Sequence, residues 1–436
     1  MTNTTRCVAL FVGVLASCKP DPDACAPAFD LATDGECYPT APSDTDADTD
    51  SDADADTDVD ADTDADTDAD TDTGAPASIL VPFTVTAAFK QVDVVLVLDS
   101  TASMVGLLYE FDLGVADFLE NTGRAGEAPQ LGFATYADYA CADYGFLGYD
   151  LPFALHHQVS SDYDSVLDSI AAASDQSGGD LPESSFEAIY QAMTGRGYDQ
   201  DCDGVYDADT DVLPFVASGD DAFAGAEVGT YDASIEGGGT GGGMGFRADA
   251  LPVVVYVTDA ELRDAGDPLY GTPGGCPADA GHDAVIERAA EMGAMFIGMT
   301  TMTEAPLAQM NDLADATASL ADLDGDGDAD DRLVASILPV GALVGDPLTD
   351  LYRLAVVDRT FAEVTFEVAS DPGGVVLGFT PPSFTAVPAG TELSTVMTLA
   401  GSFAEPGPDT VDVEIVLYGD GYLLERQVFT VLPLAP

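Results

Sequence analysis

The sequence predicts an α/β domain on a doubly wound parallel sheet, then a β-sandwich, with a disordered acidic linker in front. Three observations predict this. Two unbroken apolar runs, 94–98 and 253–257, each lead into an acid, Asp99 and Asp259. Such runs read as strands buried on both faces, the centre of a parallel sheet. Around them, strand-like runs alternate with segments of helical period, as in α/β domains. From about residue 351 the helical period gives way to short alternating runs broken by Gly and Pro, which read as strands of an all-β module.

Composition bounds the function. The chain has 436 residues, enough for two or three domains. Only 12 Lys and Arg stand against 79 Asp and Glu, a formal net charge of −67. That balance argues against nucleic acid or anionic head groups as partners and favours divalent cations. Hydrophobic residues still make up 46% of the chain, enough for true cores, so the acid must lie in tails, loops and faces.

Residues 1–17 read as an export signal: Arg6, then an apolar run over 7–16 that is too short to span a bilayer. The run ends Leu15-Ala16-Ser17-Cys18, which resembles a bacterial lipobox. That resemblance implies acylation of Cys18 and lipid anchorage of the exported chain to the bacterial envelope, at the outer membrane or cell surface. An ordinary cleaved signal followed by a structural cysteine is the alternative. Export permits disulfides. In the short segment 18–41, Cys25 and Cys37 lie close enough in sequence to be expected to pair. For Cys141, Cys202 and Cys276 the sequence does not say which two would bridge.

Residues 42–76 form the linker. From Asp44 to Asp72 every second residue is Asp. A strand here would carry one face of solid carboxylate and another too small to make a core. Like-charge repulsion and low hydrophobicity predict an extended, disordered spacer. Its length allows a reach of about 100 Å. Loose Ca²⁺ binding as a polyelectrolyte is the second reading.

The α/β domain is expected over 77–343. A central strand at 92–98 is followed by a helix at 105–119, strands at 130–136 and 153–159, and a helix at 163–173. A helix at 186–193 precedes the second buried strand. A helix at 283–292, a strand at 295–299, a helix at 306–314 and a closing helix at 331–343 complete it.

The strand ends carry the chemistry. The first run ends Asp99-Ser100-Thr101-Ala102-Ser103, an acid and hydroxyls at alternate positions. In open α/β sheets ligands bind at the carboxyl ends of strands, and oxygen-only donors suit a hard cation. This Asp-x-Thr-x-Ser pattern resembles the metal-ion-dependent adhesion site of von Willebrand factor A (VWA) domains, usually Asp-x-Ser-x-Ser. Gly178-Gly179-Asp180-Leu181-Pro182-Glu183 resembles the Asp-x-Pro-Glu loop of the A-like domain of integrin β-subunits. Thr258-Asp259-Ala260 again resembles that type and bacterial VWA proteins. The resemblance implies a Mg²⁺ or Mn²⁺ site made by Asp99, Thr101, Ser103, Glu183 and Asp259. Asp180 belongs to that site or to an adjacent Ca²⁺ site. Integrin-type domains carry acids just after the first motif for a second metal; Val105-Gly106-Leu107 stands there instead, so that flanking site is not expected. Read without the resemblance, Asp180 and Glu183 are acids that suit a helix N-terminus.

An insertion spans 195–250. Its start, Asp199-Gln200-Asp201-Cys202-Asp203-Gly204, with Asp207 following, resembles the first half of an EF-hand-type calcium loop, although Thr210 stands where the bidentate Glu belongs. Asp322, Asp324, Asp326, Asp328 and Asp330 repeat the spacing, with Leu333 at that last position. Both loops are candidates for Ca²⁺, against the alternative of solvated acidic loops. The glycine tract 237–245 lacks the Lys-Ser/Thr of a phosphate loop and reads as a flexible loop.

The module over 344–436 has alternating runs at 363–368, 375–380, 394–399, 412–418 and 423–431, which suggest a sandwich of immunoglobulin type without its disulfide. Three functions follow in order. The first is a surface lipoprotein that binds a protein or extracellular-matrix ligand through its carboxylate, with no nucleic-acid partner. The second is a calcium-stabilised structural envelope protein. The third is an enzyme, which the three histidines and the lack of a nucleophile elbow or zinc motif argue against.

Overall fold

The structure, a computed structural model, describes residues 78–431 except 127, 216–220, 226–228, 230–234, 270, 303 and 401–409, together with the backbone of Phe29–Leu31 and Cys37–Pro39. Those two short strands pair antiparallel, Leu31 opposite Cys37. The export signal 1–17, Cys18, the Cys25–Cys37 pairing and the linker 42–76 fall outside the described residues. No helix among the described residues is long and apolar enough to cross a membrane.

In chain order the strands are β1 (Ile79–Ala87), β2 (Val92–Asp99), β3 (Gln130–Tyr136), β4 (Ala154–Ser160), β5 (Leu251–Thr258), β6 (Met295–Thr300) and β7 (Val334–Ser336). The last six form one sheet in the order β7-β6-β5-β2-β3-β4. The helices are α1 (Phe111–Ala125), α2 (Tyr163–Ala172), α3 (Ser185–Thr194), α4 (His282–Met292), α5 (Ala305–Ala316) and α6 (Gly345–Tyr352). The central strand β2 shows why its run is continuous. Successive side chains point to opposite faces, and both faces are covered. Val94, Leu96 and Leu98 join Phe111, Val115 and Phe118 of α1 and Leu348 of α6 in one core. Val95 and Val97 join Phe186 and Ile189 of α3 and Leu313 of α5 in another. The one acid inside the strand, Asp93, is fully buried and accepts from the Nε (2.7 Å) and backbone N–H (2.8 Å) of Arg247.

Several expectations are corrected. The sheet is mixed, because β4 runs antiparallel to β3, with Leu131 opposite Ser160. The helix expected over 105–119 is broken: a single turn at Val105–Leu108 stops before Glu110, whose φ of 62° lies in the left-handed region, and α1 starts at Phe111. The closing helix expected over 331–343 does not form. Asp331–Arg332 pairs with Leu320–Ala321, and β7 adds to the sheet edge beside Gly298–Thr300. Sheet pairing takes this backbone, and Pro339 would break a helix there in any case; α6 closes the domain instead. The glycine tract is packed, not loose: a Cβ on Gly243 would stand 2.2 Å from the carbonyl of Gln191 in α3.

The remaining strands are β8 (Thr360–Ser370), β9 (Val376–Thr380), β10 (Ser383–Pro388), β11 (Thr391–Leu399), β12 (Val411–Gly419) and β13 (Tyr422–Val431). They form two antiparallel sheets, β10-β8-β12-β13 and β9-β11-β1. Phe361, Val364 and Leu417 from the first meet Val85, Leu393 and Met397 from the second in a third apolar cluster. The boundary drawn between 77–343 and 344–436 therefore shifts. Strand β1 pairs along its whole length with β11, from Ile79 opposite Leu399 to Ala87 opposite Thr391, so it belongs with the C-terminal strands.

Candidate metal centre

Strands β2 and β5 are parallel neighbours, with Leu98 beside Val257. Their carboxyl ends therefore open at one edge, and the residues after them meet there. Asp99 is fully buried. Its Oδ1 accepts from the backbone N–H (2.8 Å) and the hydroxyl (2.7 Å) of Thr101. Its Oδ2 accepts from the hydroxyl of Thr258 at 2.6 Å. The hydroxyls of Thr101 and Ser103 are 3.2 Å apart, and Ser103 donates to Oδ1 of Asp259 at 2.8 Å. Four of the five expected oxygen donors are thus joined in one hydrogen-bonded chain. Its inner end is buried; Ser103 is exposed and Asp259 half-buried, so the outer end meets solvent.

Glu183 arrives on the loop before α3. Its backbone N–H donates to Glu261 O at 2.9 Å, and its carbonyl accepts from Arg263 N at 2.8 Å, which ties that loop to the segment just after Asp259. The residue is 3% exposed, and among the described residues no N–H or hydroxyl donates to its Oε2; the carboxyl of Asp138 faces it. A Cβ on Gly178 would lie 3.2 Å from Thr101 Cβ and 3.5 Å from Glu183 Oε1, so this glycine marks where Glu183 and Thr101 approach. Carboxylates hold the loop: Asp150 Oδ1 accepts from Ser177 N (3.0 Å) and Gly178 N (3.2 Å), and Asp138 Oδ2 from Gly179 N (2.9 Å).

Electrostatically the centre carries surplus buried acid. Burial pushes Asp99 up to about 6, and the charge of Asp259 adds to that. Burial also raises Asp138 and Glu183; the charges of Asp138 and Asp99 raise Glu183 further, and a hydrogen bond between the two carboxyl groups keeps the proton on Glu183 and lowers Asp138. Without a cation such groups hold protons. Buried carboxyl oxygens that share a proton for want of a cation, beside hydroxyls and a further carboxylate, are a donor set that fits a hard divalent ion.

Asp180, expected at this site or at an adjacent Ca²⁺ site, accepts at Oδ1 from Nη2 of Arg263 at 2.5 Å. Three participants were not picked out in the sequence: Thr258, Asp138 and Arg263. Thr258 stood inside the motif beside Asp259. Arg263, one of few cations in so acidic a chain, was the available signal for the third.

The calcium-like loops are regrouped. Asp199, Asp201 and Asp203 each offer an oxygen within 4.8 Å of the others; so do Asp322, Asp324 and Asp331. Asp207 lies outside the first group and donates its backbone N–H to Asp211 Oδ2 at 2.7 Å. Asp326, Asp328 and Asp330 lie outside the second, and Asp331, eight residues after Leu323, reaches back to accept its N–H at 2.9 Å. Asp322, Asp324 and Asp326 all accept backbone N–H groups of their own loop, as in Asx turns. Cys202 and Cys276 form a disulfide, and Asp199 pairs with Cys276 through both backbone hydrogen bonds, so the first loop is fixed to the 263–281 segment. Cys141 is a buried thiol.

No protein-family model and no curated protein matches this chain. Among solved structures, two crystal forms of proximal thread matrix protein 1 from the mussel byssus are similar at 11% and 12% identity, with TM-scores of 0.34 and 0.32. They cover 65% and 66% of this chain, which spans about half the length of each, 51% and 50%. A similarity at that level supports no assignment.

Proposed function

We propose that the chain is a metal-dependent binding protein whose α/β body is a doubly wound domain of the VWA type, closest to the integrin β A-like form. The observation that carries this reading is the convergence of Asp99, Thr101, Ser103 and Asp259 in one hydrogen-bonded chain beside the buried carboxyl of Glu183. Asp99, held by Thr101 and Thr258, is the fixed inner donor. Ser103 and Asp259 are the donors that face outward. A Mg²⁺ or Mn²⁺ held there supplies an open coordination position for a carboxylate of the partner. The protein's own work is to fix the oxygens, neutralise the buried acids and leave one side open.

The partner is a protein or matrix ligand that presents an acid. Exposure at Ser103 favours this over a purely structural, calcium-stabilised envelope protein, whose site would be covered by its own loops. Calcium at the Asp199 and Asp322 loops would stiffen the surface in either case. The C-terminal sheets fit a sandwich of immunoglobulin type as spacer or second adhesive module, and the N-terminal segment fits a lipid anchor on an acidic stalk at the cell surface. An enzymatic role has less support: His156 bonds Thr135 at 2.7 Å and stacks on Phe133, a packing role.

The test is capture of partners from surface extracts by wild type and Asp99→Ala, in Mg²⁺ and in EDTA. Capture by wild type in Mg²⁺ alone supports the reading. Equal capture in all four conditions refutes it.

A further inference from the structure

The loop that carries Glu183 is organised around a cation the protein already owns. Arg263 is 1% exposed. Its Nη2 bonds Asp180 Oδ1 at 2.5 Å and the carbonyl of Pro182, and faces Asp138 Oδ1 at 3.7 Å. Nη1 donates to Gly271 O at 3.3 Å, and the guanidinium carbon lies 4.8 Å from the centre of the Tyr144 ring. Two carboxylates and a main-chain carbonyl thus converge on one nitrogen, from Asp138 after β3 and from two positions of the Asp180–Glu183 turn. Oxygens of this kind, gathered on a point of positive charge, are the donors a calcium ion takes.

The geometry points to Arg263 as a built-in substitute for a second divalent ion: a positioning residue that fixes the Glu183 loop against β5 whatever the calcium supply. A guanidinium suits this task. It stays charged at every working pH, and its planar fork meets several acceptors at once. The same residue's backbone N–H holds the Glu183 carbonyl at 2.8 Å, so one residue clamps the loop at both main chain and side chain. The consequence for ligand binding rests on the metal-site reading above; the substitution of cation for cation does not.

Removal of the guanidinium should expose that nest of oxygens to a metal. The experiment is equilibrium dialysis with radioactive calcium on the full chain as wild type, Arg263→Ser, and Arg263→Ser combined with Asp99→Ala, with melting temperature followed against Ca²⁺. Arg263→Ser is expected to bind one more Ca²⁺ per chain than wild type and to regain melting temperature as Ca²⁺ rises. The extra ion should persist with Asp99→Ala, because its donors do not include Asp99. Unchanged stoichiometry, or a folding defect that Ca²⁺ leaves uncorrected, overturns the inference.

Asp180→Asn supplies a second test in a chain that keeps Arg263. Asp180 is partly exposed, so its loss leaves the core alone. Loosening the loop should weaken Mg²⁺ binding by about 10- to 100-fold with the melting temperature nearly unchanged. A fall in melting temperature with Mg²⁺ affinity intact shows a merely structural ion pair and overturns the positioning role. If wild type binds no Mg²⁺ at all, the function proposed above fails, and the calcium result with Arg263→Ser still decides this one.

Discussion

Thr258 donates its hydroxyl to Oδ2 of Asp99 at 2.6 Å, from the last position of β5 to the last position of β2. Both thus close adjacent parallel strands, and Asp99 is fully buried. Among the described residues Thr258 is the one donor to Oδ2, while Thr101 donates twice to Oδ1. Thr258→Val keeps the shape and removes the donor. A buried carboxylate oxygen left unpaired costs about 1–3 kcal/mol. Chemical denaturation in EDTA should register a loss of that size.

The fate of Glu183 should depend on the cation. In EDTA its carboxyl is buried beside Asp138 and Asp99, and burial raises it far above the ordinary range. Glu183→Gln removes a group that resists ionisation there, so at pH 8 in EDTA the variant should melt higher than wild type. In Mg²⁺ the order should reverse, because the carboxylate is then needed as a donor. Differential scanning calorimetry with and without Mg²⁺ reads the crossing. The same order in both conditions would remove Glu183 from the donor set.

How much of this was visible in the chain depends on sequence distance. Asp99, Thr101 and Ser103 are spaced along one strand end, and Asp259 ends a second run of the same kind, so local pattern alone marks them. Asp138 and Arg263 come together only because β3 and β5 flank β2; nothing near either residue announces the other. Strand β1 tells the same story. Its partner lies 310 residues away in β11, as Thr84 opposite Ser394 shows, and nothing in residues 79–87 points there. Alternation fixes a face, not a neighbour. In the acidic loops spacing alone does not say which carboxylates gather: Asp326, Asp328 and Asp330 stay apart, and Asp331 joins from beyond the repeat.

Stability should fall as pH rises through the range set by Glu187. Burial is the main cause that pushes this residue from about 4.5 up to about 7; its hydrogen bonds from Gln191 (2.7 Å) and Ala280 N (2.6 Å) oppose the rise. Below pH 4.5 the group is protonated in both folded and unfolded chains. Between the two values the unfolded chain has lost the proton and the folded chain keeps it, so stability declines with pH; above 7 the penalty is constant. A rise of that size corresponds to about 3 kcal/mol. Urea denaturation at pH 5 and pH 8 should show this decline in wild type and a smaller one in Glu187→Gln. Equal declines would rule the group out.

The Cys202–Cys276 bridge should matter for calcium as well as for stability. It closes a loop of 74 residues, for which the chain-entropy estimate is about 4 kcal/mol. It also keeps Asp199 in its backbone pair with Cys276, and Asp199 is the buried member of the first acidic group. The double variant Cys202→Ser, Cys276→Ser should therefore unfold at lower denaturant and bind Ca²⁺ more weakly at that loop, while the Asp322 loop is unaffected. Titration calorimetry separates the two loops when Asp324→Ala removes the second.

Gly179 tests the geometry of the whole centre without touching a donor. A Cβ there would stand 1.9 Å from the carbonyl oxygen of Tyr144 and 2.8 Å from Gly145 Cα, so main chain must move to admit it. The loop from Gly178 to Glu183 must take up part of that shift, against its ties to Asp138 at Gly179 N (2.9 Å), to Asp150 at Gly178 N (3.2 Å) and to Arg263. Gly179→Ala should displace Glu183 from Thr101 and weaken Mg²⁺ binding by about 10-fold or more, the scale seen when a support behind a ligand is lost. Gly126, which caps the end of α1 and has nothing within 4 Å of its Cβ position but a φ of +77°, is the control: Gly126→Ala should lower stability through backbone strain and leave Mg²⁺ affinity alone. Isothermal titration of both variants measures the difference. Matching Mg²⁺ affinities would mean that the position of the Glu183 loop does not govern the centre.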